Sequence, residues 1–209
     1  MSAEAHEPAD IGARDRLFRV AIELFNRRGY AATTVREIVE AAGVTKPVLY
    51  YYFGSKEGIY LALLEDAREA FEDRIQGVLS RPESARERIL SLARELFQLF
   101  RDNIEYVRLI LGAYHGPPQG APEFDFDAFH HTYQNALEHL IREGIENEEL
   151  RPGNVLAMAT ALHGATGACV EAALDHPEQH VDVAELDQVL EVIFEGISSK
   201  KPTGKEHRR

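Results

Sequence analysis

Cysteine is all but absent from this chain of 209 residues; Cys169 is the single one. An intrachain disulfide framework is therefore excluded, and a reducing, cytoplasmic setting is expected. No apolar run approaches the roughly 18 residues that cross a bilayer as a helix, and no basic-then-apolar segment opens the chain. Membrane contact is not expected. Nine histidines are present, but none has a spacing that forms a recognisable metal motif, so neither metal nor other cofactor is expected. H-E-x-x-H, a nucleophile elbow and a glycine-rich phosphate loop are all missing. An enzyme built on the histidines with Glu171 or Asp175 thus has no motif to carry it.

Positive charge is also scarce overall, with a formal net charge of −12. The scarcity is uneven. Arg14–Tyr60 carries +3 and Leu61–Ser199 carries −16, while residues 1–13 hold −3 and residues 200–209 hold +4. A locally basic unit suits phosphate contact, and an acidic remainder keeps a polyanion away from other surfaces.

What is present is concentrated in TTVREIVEAAGVTKPVLYYYFGSK, Thr33–Lys56. Thr34 and Glu37 have the spacing of a capping box, and Val35, Ile38, Val39 and Ala42 recur at helical spacing to give one buried face. Gly43 provides the left-handed stop. Thr45 can cap a second helix, and Pro47 is tolerated in its first turn because those N–H groups lack helical partners. Helix, glycine turn and helix make a helix-turn-helix, whose second element docks in the major groove. That second helix carries Lys46, Pro47, Tyr50, Tyr51 and Tyr52, one cation and three phenols without an acid.

With the preceding helix RDRLFRVAIELFNRRGY (Arg14–Tyr30) and the exit LYYYFGSKEGIY (Leu49–Tyr60), this segment closely resembles the TetR family of one-component transcriptional regulators. The likeness covers roughly the first third of the chain. Val39 stands where a small Ala is common, and Gly58 where an acid is common. The resemblance implies a homodimer on palindromic operator DNA, and a small-molecule effector that releases it. It also supplies the expected contacts. Lys46 reads guanine, Pro47 meets a thymine methyl, and Tyr50 and Tyr51 hold phosphates. Tyr52 either holds phosphate or leans on the bundle. Thr34 and Lys56 clamp the backbone, Arg36 reaches a guanine, and Thr45 lies at the same edge.

The fold class expected is all-α, about nine helices in all. A three-helix DNA-binding domain (14–60) precedes a larger helical ligand-binding and dimerisation domain (61–199), between a flexible arm (1–13) and a flexible basic tail (200–209). Helices are expected over Ser55–Ser80, Ser84–Arg101, Asn103–Ala113, Phe126–Asn147, Asn154–Leu174 and Val183–Ile197, with a Pro- and Gly-rich loop over His115–Asp125. The first of these has the length to link two domains rigidly. Residues 154–174 are rich in Ala and Gly, and 183–197 carry Val183, Leu186, Val189, Leu190, Ile193 and Ile197 on one face. Both helices are expected at the dimer seam.

The effector pocket is expected among Phe97, Phe100, Tyr106, Ile110, Tyr114, Phe129, His130, Tyr133, His163 and Thr166, an apolar lining with a few polar groups. The effector's identity is not legible. A DNA-binding regulator without a small-molecule ligand, controlled by a protein or acting as an activator, is the alternative.

Overall fold

The computed structural model describes residues 11–116, 120–175 and 182–197. All the secondary structure among them is helical: α1 (Ile11–Ala32), α2 (Val35–Ala42), α3 (Lys46–Phe53), α4 (Lys56–Leu79), α5 (Ala85–Asp102), α6 (Ile104–His115), α7 (Asp127–Glu146), α8 (Val155–Asp175) and α9 (Val183–Ile197). The basic tail and residues 1–10 of the arm lie outside the described residues. Residues 11–13 do not extend the arm: they form the start of α1, with Ala13 buried.

The chain divides into two compact units, and the division does not fall at residue 60. Among the described residues, one unit gathers those through Ala70 with those from Asn103 to Phe126; the other holds Phe71–Asp102 and those from Asp127 to Ile197. The helix α4 gives its first part to one unit and its last part to the other. The helix α6 belongs with the first unit because it packs on α1, where Leu109 joins that core.

In the first unit, Leu17, Ala21, Ile38, Leu49, Ile59, Leu63 and Leu64 have no exposed surface. Each sits at helical spacing on its own element, so one face of every helix turns inward. Helix α1 bends at Gly29, whose φ of 79° and ψ of 165° leave the helical region. A carbonyl freed by that bend needs a donor. Buried Thr33 supplies one, donating its hydroxyl to Gly29 O at 2.9 Å.

The second unit packs α5 against α7, α8 and α9. Its core includes Phe71, Ile75, Phe97, Leu137, Leu140, Leu162, Leu186, Leu190 and Phe194. Leu186 and Leu190 are therefore interior to this unit, whereas Val189 and Val192 of α9 and Leu156 of α8 are exposed at 40%, 72% and 58%. Sequence periodicity puts Leu190 and Val189 on one stripe; packing separates them. One expectation is corrected. Val155–Leu174 is long enough and, at a mean hydropathy of 1.2, apolar enough to cross a membrane. Its valines, leucines and alanines carry the mean, and Glu171 is the one charged residue in that stretch.

Candidate nucleic-acid interface

The capping box at Thr34 forms in full. Thr34 Oγ1 accepts from Glu37 N at 3.3 Å, and Thr34 N and Oγ1 donate to Glu37 Oε2 at 2.9 and 2.8 Å. These bonds, with Arg28 as a further ion-pair partner, hold the Glu37 carboxyl below its usual range. Helix α2 ends at Gly43, whose φ of 64° is the left-handed conformation that favours glycine. Val44 N then closes the turn on Val39 O at 3.0 Å.

Thr45 occupies the cap position of α3, but its side chain makes no capping bond. The local reason is Pro47: in that first turn one N–H is already missing and needs no acceptor. The hydroxyl of Thr45 is exposed beside Lys46. On α3, Leu49 is fully buried, and Phe53 is half-buried against Phe18 with ring centroids 5.1 Å apart. Tyr52 packs on the same core, beside Phe53. Lys46, Pro47, Tyr50 and Tyr51 lie on the other side, the two tyrosines 49% and 78% exposed. Residues four apart share a helix face, so Lys46 with Tyr50 and Pro47 with Tyr51 form one outward strip. Large phenols left this open on a short helix are unusual for a protein surface without a partner.

Two expected contacts look different in place. Lys56 is half-buried, and its ammonium donates to Tyr30 O and Thr33 O, each at 2.9 Å, with the Tyr30 ring 4.1 Å away. Two of its three donors thus tie the start of α4 to the end of α1, and burial lowers its pKa. That is a staple within the unit before it is a phosphate clamp. Arg36 is exposed on α2 and bonds Glu40 Oε1 at 2.7 Å. Arg16 was not anticipated: its Nε holds Ala42 O at 3.2 Å and fixes the end of α2 against α1.

The expected pocket residues fall into separate groups. Tyr106, Ile110 and Tyr114 are on α6 in the first unit; Phe97, Phe100, Phe129, His130, Tyr133, His163 and Thr166 are in the second. Within the second unit, Phe97 is fully buried, Phe100 stacks on Phe71 at 6.0 Å, and Phe129 meets Phe71 edge-on. Tyr133 and Thr166 are buried and joined hydroxyl to hydroxyl at 3.1 Å. Burial pushes the Tyr133 phenol up to about 12. His163 meets Gln134 Oε1 through Nδ1 at 3.2 Å, and burial, helped by exposed His130, pulls its pKa down to about 4. Among the described residues, no group of three or more His, Cys, Asp and Glu side chains is arranged to hold a metal ion.

An outward strip of cation and phenols on the second helix of a helix-turn-helix, anchored from behind by Leu49, defines a DNA-binding protein. Residues 17–63 match the family described as bacterial regulatory proteins, tetR family. The transcriptional repressor KstR2 of Mycolicibacterium smegmatis is 29% identical over 143 residues, 66% of this chain and 68% of that protein. The transcriptional activator FasR of the same organism is 34% identical over 97 residues, 46% of this chain and 44% of its own length. In fold, the ketosteroid transcriptional regulator KstR2 of Mycobacterium tuberculosis is similar at a TM-score of 0.70, covering 96% of this chain and 100% of that one at 21% identity. Residues 17–63 thus carry the helix-turn-helix segment of the tetR family of bacterial regulatory proteins.

Proposed function

We propose that this protein is a ligand-responsive repressor that binds a palindromic operator as a homodimer and leaves it when a small, largely apolar effector binds. The observation that carries the DNA half is the exposed strip of Lys46, Pro47, Tyr50 and Tyr51 on α3. Lys46 reads base edges, Tyr50 and Tyr51 hold phosphates, and Thr34, Arg36, Thr45 and Tyr52 frame the contact.

One short helix reads too few bases for a specific site, so two copies about 34 Å apart are required. The seam is assigned to the outer faces of α8 and α9. There Ala157, Ala161, Gly164 and Ala168 form a small-residue stripe, and Leu156, Val189 and Val192 stand exposed. The Tyr133–Thr166 and His163–Gln134 pairs support an effector site in the second unit, since they place a few polar groups among Phe97, Phe100 and Phe129. An effector releases DNA only by preferring the conformation that binds it poorly. A second reading, activation, is favoured by the likeness to FasR.

Gel shift on DNA taken from beside the coding sequence, searched for an inverted repeat, tests the core of this reading. Lys46→Ala should lose about 1–3 kcal/mol on the operator and relax preference at one position per half-site. Unchanged discrimination would remove Lys46 as the base reader. A reporter under the same operator separates repression from activation.

A further inference from the structure

The first unit contains a cleft of about 760 Å³ apart from its DNA-facing strip. Its aromatic wall is built at the end of α1, where Tyr60 meets Phe25 edge-on at 5.2 Å and Tyr30 at 5.0 Å. Helix α6 forms a second wall with Leu109 and Gly112, and residues 120–126 bring Phe124 and Phe126 across. Tyr60 is 2% exposed, yet its hydroxyl has no hydrogen-bond partner among the described residues. It is not sealed in apolar packing either, because the one fully enclosed, unpartnered side-chain polar atom among them is Arg88 Nε, in the second unit. The open space that Tyr60 lines is this cleft. A hydroxyl whose one open side is a cavity can donate only to what enters that cavity, so it marks a place for a ligand atom.

The chemistry of that ligand follows from the surrounding charges. Burial, with Tyr30 as the lesser influence, raises the Tyr60 pKa, so the phenol stays protonated and donates. Arg108 lines the same cleft and holds Glu105 through Nη1 at 2.9 Å, which leaves other guanidinium donors. Exposed Glu123 and Asp125 at the rim disfavour an anion. A cation is met by Arg108, and the Tyr30 face that could hold it is already taken by Lys56. What remains is a neutral acceptor on an apolar body.

We propose that this cleft binds a compact neutral ring compound whose carbonyl oxygen accepts from the Tyr60 hydroxyl and the Arg108 guanidinium. The site is separate from the Tyr133–Thr166 pair of the second unit, so it stands or falls independently of the effector reading above.

The test uses prodan, a neutral naphthyl ketone whose emission shifts to the blue in an apolar site. The chain has no Trp to obscure it. Saturable, blue-shifted binding is expected for the full chain. Gly112→Phe should abolish it, because a Cβ there meets nothing within 4 Å and the ring fills the cleft. The change also raises helix propensity, so the protein should still fold. Tyr60→Phe, which keeps the ring and removes only the hydroxyl, should weaken binding about tenfold. The ketone 2-acetonaphthone should displace prodan at concentrations about tenfold below 2-naphthoate or 2-naphthylmethylammonium. The proposal is overturned by no saturable binding, by binding that survives Gly112→Phe, by a folded Tyr60→Phe protein that binds like wild type, or by a charged competitor that displaces as well as the ketone.

Discussion

The two compact units bury different kinds of residue. In the first, Thr33 and the phenol of Tyr60 are the buried polar groups among the described residues, and neither can carry a charge near neutral pH; in the second, Arg88, Gln134 and Thr166 are buried, along with the phenol of Tyr133. The first unit shows its charged chemistry outside, on α3, and buries only hydroxyls behind it. The second carries polar groups within its apolar interior, each needing a partner to offset lost hydration. Stability in the first unit should therefore answer to local caps and turns. In the second it should answer to paired charges and to pH.

The largest expected effect is on the second unit's core. Leu190→Glu places a carboxylate where no surface is exposed and should cost more than about 4 kcal/mol, seen as lost cooperative unfolding or insoluble protein. Its neighbour provides the contrast. Val192→Glu, at a position 72% exposed, should change the fold of one subunit by less than about 0.5 kcal/mol and yet yield monomers by sedimentation. A Val192→Glu protein that stays dimeric and binds operator would put the seam elsewhere.

Next comes the buried guanidinium. Arg88 is 5% exposed, pairs with Glu143 and donates to Leu79 O at 3.2 Å, while its Nε has no partner. Glu143→Leu strands that charge and should cost about 3 kcal/mol in urea unfolding, near the low end for such pairs because Glu143 keeps 35% of its side-chain surface. Adding Arg88→Met should recover most of the loss. If the double variant is no better than the single, the pair is not what Glu143 contributes.

The third effect is a pH dependence that separates the units. His163 is held near 4 against an ordinary 6.5, so the unfolded chain binds the proton more readily. The stability this contributes is full above pH 6.5 and is lost as pH falls towards 4, with a slope of at most about 1.4 kcal/mol per pH unit. His163→Gln should flatten that window. The first unit should hold through most of it, because the stability that the lowered carboxyl of Glu37 contributes begins to be lost only as pH falls to the ordinary value of 4.5. Thermal melts that lose both units together between pH 6.5 and 4 would erase the contrast.

The smallest effect lies in the first unit. Thr34→Ala removes the capping box and should cost about 1 kcal/mol, read as a lower melting temperature with operator preference unchanged.

The helix-turn-helix was legible because its signals are local. Thr34 needs only Glu37, and Gly43 needs only its own dihedral. The staple that Lys56 makes was not legible, because its acceptors, Tyr30 O and Thr33 O, are 26 and 23 residues away. Apolar spacing on α9 identified a helix but could not assign Leu190 inward and Val189 outward, since that choice depends on what α5 and α8 place beside it. The same limit split the expected pocket. Aromatic density from Leu96 to Tyr133 ran across α5, α6 and α7, yet α6 packs on α1 with the DNA-binding unit. Tyr60 and Arg108 are 48 residues apart on α4 and α6, so no local pattern joins them in one cleft.

Gly58 stands in the first turn of α4, where its N–H donates to Ser55 Oγ at 2.8 Å. A Cβ at this position would lie 1.8 Å from Phe53 O, closer than any side chain can come. In a library randomised at every codon, position 58 should therefore tolerate almost nothing, although it is neither buried in the core nor turned toward DNA. Its identity records a distance between two stretches of backbone. A lineage that fixed glycine here and closed the turn would have to reopen the turn before any other residue could return.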